Sequence, residues 1–424
     1  MAEKCGALSC EFRPNTLDYV SAAHGGWGIV RMAALVPESH LLFVCPEACG
    51  RHNALGSALF GLKDRVHYLF LSDTDIISGD FEEMIVENVD TLFEILDERP
   101  KVLMIYTACI DDLLGTDHEP ILKEVRKKYP DVKFRHCRMN PISLDTPNPP
   151  GITTNIEMYS LLEPSEKQQK AVNIIGTNVS YDDTNDLKQI LHAKGYRVHH
   201  IADYERFEDF QEMARSVLNI VTAPISLGAA QMMEKKLGIP YIKAFVTYDT
   251  EEIMDLYEDL SEILQEDLVE PALAFLKKAE EKISTVKDIV GDYPIAIDYQ
   301  AVIRPYSLAL TLVRHGFHVG MVASDVVLGI DKTSYETLQK EEPDILVENP
   351  LDFSAVRFPH EGEKYLCIGF DCGYMTGSDR VVDLMSDDGL YTFDGVIRLM
   401  DMIAEAYKGG GDVGEMIVKA GLII

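Results

Sequence analysis

Residues 40–56 read HLLFVCPEACGRHNALG, an apolar run that ends on Cys45 and is followed by Pro46, Cys49, Gly50 and Gly56. Successive apolar residues stopped by a proline suit a strand buried on both faces and are too few for a helix. The pattern returns at RVHYLFL (65–71), KVLMIY (101–106) and VKFRH (132–136). Between these runs lie segments of helical period, the clearest being FEEMIVENVDTLFEILDE from Phe81 and the stretch after Asp117. Strands that alternate with helices pair in parallel and cross over with a right hand.

Further along, the Pro-rich NPISLDTPNPPG (140–151) interrupts this alternation, and a second unit begins at AVNIIG (171–176). Helix DDTNDLKQILHAKG, strands YRVHHI and VLNIVT, helix SLGAAQMMEKKLG and strand IPYIKAFV complete it. An acidic helical region over 250–290, interrupted near Pro271, leads to a third unit with strands YPIAID, FHVGMVA, PDILVE and KYLCIGF. A helix from Thr392 to Tyr407 closes it. The expected fold class is α/β: three Rossmann-like domains with parallel sheets, over residues 1–165, 166–290 and 291–424.

The 424 residues suffice for two or three domains, and 46% hydrophobic content assures a core and argues against disorder. Lys and Arg total 39 against 70 Asp and Glu, a net charge of −31. Nucleic acid and anionic membranes call for clustered cations, so neither is an expected partner. The opening MAEKCGALSCEFRP has no apolar core of a signal peptide, and the chain has no apolar run of membrane-spanning length. A cytoplasmic location is expected. Eight cysteines in a reducing compartment are then either small buried hydrophobes or sites of chemistry.

Their positions separate the two cases. Cys45 ends the first strand, Cys49 follows four residues on, Cys109 lies just past KVLMIY and Cys137 just past VKFRH. Ligands of an open parallel sheet collect beyond the carboxyl ends of its strands. Cys45, Cys49 and Cys109 together are therefore candidate ligands for zinc or an iron-sulfur cluster, soft acceptors that stabilise thiolates. Cys367, inside KYLCIGF, reads as core, whereas Cys372 lies past that strand and is a candidate for exposure. Cys5 and Cys10 lie in the N-terminal segment, which a metal would order, so Cys10 remains a candidate ligand.

CPEACGRHNALG (45–56) resembles the glycine-flanked cysteine turn of nitrogenase component 1 and its relatives, which include the catalytic subunits of dark-operative protochlorophyllide reductase. CIDDLLGTD (109–117) is similar to that family's second signature, a cysteine with Gly six and Asp eight residues later. FRHCR (134–138), NIVTAPISLGAAQMMEKKLGIPY (219–241), IRP (303–305) and LYTFDGVIRLMDMI (390–403) continue the resemblance in order. It implies three domains around a central interdomain cavity. It also implies a homologous or identical subunit meeting this one around an iron-sulfur cluster of 4Fe-4S type, with electrons delivered by an ATP-dependent reductase resembling the nitrogenase iron protein. Cys49 and Cys109 match the family's cluster ligands best. The family's first cysteine falls here at His24 in AAHGGWG, so the remaining place goes to Cys45, Cys10 or His24, in that order of preference.

The stretches that match the family's molybdenum-iron cofactor ligands read VTAPIS (221–226) and GLYTFDG (389–395), with neither the cysteine nor the histidine. No molybdenum-iron cofactor is expected, and the small-molecule substrate of the expected reductase is not dinitrogen. A scaffold for metallocluster assembly would use the same cavity, and a metal-free ligand-binding module of the same fold is a further alternative.

No P-loop occurs, so ATP hydrolysis falls to a partner. His199 and His200 read as a surface pair, or as proton donors if they face the cavity. Arg304 and Tyr306, at a helix start, could hold an anionic group or be a plain surface turn. Asp111, Asp112 and Asp117 flank Cys109, and Asp117 fits a helix N-cap. Catalytic residues are not assigned from the sequence.

Overall fold

The structure, a computed structural model, describes residues 8–9, 19, 21, 23, 28–139, 149–353, 355 and 364–421. Cys5, Cys10, His24 and most of the Pro-rich 140–151 lie outside these residues. The chain divides into two units. One comprises Trp27–Asn178 and His199–Lys243, the other Met1–Gly26, Val179–Val198 and Ala244–Ile424.

The first of these contains the stretch HLLFVC. Its strands β1 (Ser39–Cys45), β2 (Val66–Phe70), β3 (Val102–Thr107) and β4 (Lys133–Arg138) form a wholly parallel sheet in the order β2-β1-β3-β4. Period-two alternation sends Leu42 and Val44 to one face, with Leu103 and Ile105. There they pack against Phe81, Ile85, Val89 and Phe93 of helix Phe81–Ile95 and Ile121 and Val125 of helix His118–Lys128. Leu41, Phe43 and Cys45 fall on the opposite face, where Phe43 stacks between Tyr68 and Tyr106. Burial on both faces is why these strands read as unbroken apolar runs.

A second sheet follows the order β6-β5-β7-β8, from β5 (Ala171–Ile175), β6 (Arg197–His199), β7 (Leu218–Val221) and β8 (Tyr241–Lys243), with β5, β7 and β8 parallel. Helix Pro150–Tyr159 precedes it. It starts at the end of the Pro-rich stretch that interrupts the alternation, because a proline at the first helical position loses no hydrogen bond and presets φ. The helix packs closely on Leu227–Leu237. A Cβ on Gly228 would lie 2.8 Å from Ile156 Cδ1, so a larger residue there would make the Ile156 side chain shift.

The other unit holds a five-stranded parallel sheet in the order β11-β10-β9-β12-β13. Its strands are β9 (Ile295–Asp298), β10 (Val319–Ala323), β11 (Leu346–Glu348), β12 (Leu366–Ile368) and β13 (Val381–Val382). Three buried aspartates cap its helices from outside. Asp331 accepts the Tyr306 and Ser307 N–H groups, both at 2.9 Å, and closes the start of helix Pro305–Arg314. Asp298 accepts those of Asp371 and Cys372, and Asp186 accepts those of Phe393 and Asp394 together with the Tyr257 and Thr392 hydroxyls. Each carboxylate replaces partners that the first turn of a helix lacks.

The acidic region is two helices, Thr250–Leu264 and Val269–Val290. The break falls at Gln265, with φ of 55°, and Pro271 sits harmlessly in the first turn of the second helix. Among the described residues no helix is long and apolar enough to cross a membrane.

Candidate functional site

The order of the first sheet reverses between β1 and β3, whose carboxyl ends lie side by side with Val44 opposite Thr107. Such a switch point opens a crevice, because the two chains leave it in opposite directions. Helix Glu47–Leu59 follows β1 and carries Cys49 in its first turn, while helix Cys109–Leu114 follows β3 and begins with Cys109. The topology thus brings both cysteines to one sheet edge. Cys49 is exposed and Cys109 half-exposed. Burial and the neighbouring Cys109 sulfur push the Cys49 thiol up, a cost that a shared cation would reverse.

Cys45 lies beneath them, fully buried, its thiol pushed up to about 12 by burial and by Cys49. Its position follows from alternation, since it shares a face with Leu41 and Phe43. Gly50 lets the helix settle on the strand here. A Cβ at Gly50 would stand 2.6 Å from the Phe70 ring and 3.3 Å from Cys45 Sγ. Cys137 is within β4 and sealed in the core beside Tyr106, where burial raises its thiol strongly. Of the four cysteines at this edge, two are accessible, one underlies them and one is core.

The elements that carry the accessible cysteines also expose large apolar side chains. Leu113 and Leu114 follow Cys109, Leu55 and Leu59 follow Cys49, and Phe70 ends β2. Leu113 is 72% exposed. Exposed large apolar side chains of this kind make these elements a candidate interaction surface.

The residues after Cys109 hold a feature the sequence reading missed. Asp117 caps helix His118–Lys128 as expected, accepting the Glu119 N–H at 3.0 Å. His118 then turns back, its Nε2 2.7 Å from Asp111 Oδ2, and stacks on His136 of β4 with ring centroids 3.8 Å apart. His136 Nε2 lies 2.9 Å from the Thr107 hydroxyl. Burial, then His118, holds the His136 imidazole neutral down to about pH 4. The signal available was the pair of histidines in GTDHEP and FRHCR, which only the sheet register makes neighbours.

Three other expectations are corrected. His199 and His200 are buried rather than superficial. His199 Nδ1 lies 2.5 Å from the Tyr204 hydroxyl, and His200 Nδ1 accepts the Ala202 N–H. Arg304 forms a bidentate ion pair with Glu252, and Asp331 already fills the adjoining helix start, so Arg304 and Tyr306 offer no place for an anionic ligand. Cys372 is fully buried like Cys367, because helix Phe370–Thr376 turns it back into the core.

The model of a family described as nitrogenase component 1 type oxidoreductase matches residues 26–407. The nitrogenase iron-molybdenum cofactor biosynthesis protein NifE of Clostridium pasteurianum is 23% identical over 311 residues. That match covers 70% of this chain and 64% of the relative, so the chain spans less than two thirds of that protein's length. The solved structure of nitrogenase Cp1 at pH 6.5 aligns with a TM-score of 0.72 at 15% identity, covering 95% of this chain and 96% of the other. The pH 5 structure gives 0.62 at 14% identity, with coverage of 94% and 93%. These structural likenesses establish the shared Rossmann-like α/β fold. The family match over most of the chain identifies it: the protein belongs to the nitrogenase component 1 type oxidoreductases.

Proposed function

We propose that this chain is the cluster-bearing subunit of a nitrogenase-like reductase, with an iron-sulfur cluster of 4Fe-4S type held by Cys49 and Cys109. The observation that carries this reading is the pairing of two accessible thiols at a strand switch point, on elements that also expose Leu55, Leu113, Leu114 and Phe70. The donor set suits such a cluster, which takes thiolates, and Cys45 or Cys10 completes it within the chain. When bound, the cluster supplies one-electron redox chemistry. The residues of the chain release thiol protons at Cys49 and Cys109, keep the turn tight at Gly50 and present an apolar rim. A homologous or identical subunit covers that rim and excludes water.

The same reading divides the chain into Rossmann-like domains at 1–165, 166–290 and 291–424 and keeps it in the cytoplasm. Electrons come from an ATP-dependent iron-protein-like partner, because the sequence carries no P-loop. The substrate is a small molecule other than dinitrogen, since VTAPIS and GLYTFDG lack ligands for a molybdenum-iron cofactor.

A second reading, a scaffold for metallocluster assembly, is favoured by one finding, the similarity to the cofactor biosynthesis protein NifE. The two readings separate in one assay. Anaerobically purified protein is mixed with an iron-protein-like ATPase, ATP and a panel of organic acceptors including tetrapyrroles. Multiple turnovers of an acceptor support the reductase. Transfer of iron and sulfide to an apo-protein without acceptor turnover overturns it in favour of the scaffold.

A further inference from the structure

Beside Cys109 the fold assembles a second donor group, made of nitrogen and oxygen rather than sulfur. Asp111 comes from the first turn of helix Cys109–Leu114, His118 opens the next helix, and His136 projects from β4. One ligand atom from each of the three lies within 4.8 Å of the other two. Asp111 and His118 are buried and His136 is half-buried. The Asp111 Oδ2–His118 Nε2 and His136 Nε2–Thr107 Oγ1 contacts, at 2.7 and 2.9 Å, satisfy part of this polar group. Asp111 Oδ1 is left buried with no hydrogen bond among the described residues. A buried carboxylate oxygen without a donor is costly, and a cation would supply the missing partner.

We propose that Asp111, His118 and His136 bind one divalent first-row transition-metal ion of the zinc or ferrous class. Two imidazoles and one carboxylate are the donor set such ions prefer, and they leave positions for water. Ligand atoms about 2.0–2.2 Å from one ion stand about 3–3.5 Å apart, so the triangle, whose edges are at most 4.8 Å, contracts by no more than about 2 Å on binding. The ion ties the short helix that begins with Cys109 to β4 and to helix His118–Lys128. It thereby fixes the backbone that presents the Cys109 sulfur, through ligands that include no thiolate. The proposal does not rest on the cluster reading, since none of its three ligands is a cysteine.

The test uses the full-length chain carrying Cys49→Ser and Cys109→Ser, both at accessible positions where serine costs little packing. Co2+ is the probe, titrated without oxygen. The expected result is one retained equivalent with weak visible ligand-field bands and no thiolate charge-transfer band. Adding His136→Gln or Asp111→Asn lowers Co2+ affinity at least about tenfold while far-UV circular dichroism is unchanged. Failure of the parent to retain Co2+, or equal affinity in the His136→Gln protein, overturns the site and leaves Asp111 and His118 as a buried hydrogen-bonded pair. Should both variants misfold, cobalt X-ray absorption on the parent decides. Scattering from two imidazole rings supports the site, and a shell of oxygen alone overturns it.

Discussion

The two units differ in what they expose and in which titratable groups they bury. In the unit of β1–β4, Cys49 and Cys109 reach the surface, and the buried titratable groups include imidazoles whose burial lowers their pKa, His40 to about 4 and His136 to about 4. In the unit of β9–β13, Cys367 and Cys372 are sealed in the core, and the buried groups are carboxylates pushed up by burial, Asp298 and Asp331 to about 7 and Asp387 to about 6. Those carboxylates close helix starts and loops within the unit, where their hydrogen-bond capacity is used internally. The cysteine-bearing edge instead keeps thiols and leucines facing outward. Exposure combined with topology, more than the number of cysteines, singles out the candidate site.

The sharpest way to break this contrast is to truncate one cysteine in each unit. Cys109→Ala should remove essentially all cluster-bound iron, whereas Cys367→Ala should keep the iron and cost about 1 kcal/mol of packing. Iron and sulfide analysis with urea melts reads both, and equal iron in the two proteins contradicts the assignment. Next in size is Asp186→Ala, which strands two helix N–H groups and two hydroxyls. A loss of about 3 kcal/mol is expected from its urea midpoint, with iron content intact. Gly50→Ala should cost about 2 kcal/mol, because its methyl meets the Phe70 ring, and unlike Asp186→Ala it should also lower iron content.

The smallest effect is a difference in pH slope. His40 has a folded pKa near 4 against 6.5 in the open chain, so its contribution is complete above pH 6.5 and is lost as pH falls toward 4. Asp298 and Asp331 have folded values near 7 against 3.8, so their contribution is complete below 3.8 and is lost as pH rises through 7. Between pH 7 and 5, hydrogen-exchange protection corrected for intrinsic rate should fall at β1 and β2 and rise at β9 and β12. Parallel changes in both sheets would remove the electrostatic half of the comparison.

Much of this was legible in the sequence because strands buried on both faces leave unbroken apolar runs. LLFVC and VLMIY mark β1 and β3, and with them the edge on which Cys49 and Cys109 fall. The alternation that turns Cys45 inward was also present, since it shares parity with Leu41 and Phe43. Other features were not local. Val381–Val382 is too short to show a period, and helix Pro150–Tyr159 was hidden by prolines that act as its start. His118 and His136 come from different elements and meet only because β4 pairs with β3. His199 and His200 looked superficial because a polar pair ending a strand gives no sign of the Tyr204 hydroxyl that meets His199.

The central claim is that Cys49 and Cys109 hold an iron-sulfur cluster, and anaerobic thiol titration of the full chain before and after iron chelation tests it most directly. The account predicts iron and acid-labile sulfide in the purified protein, with Cys49 and Cys109 unreactive toward an alkylating reagent until the iron is removed and reactive afterwards. Protein never exposed to oxygen that contains no iron, with both thiols alkylated from the outset, would contradict it.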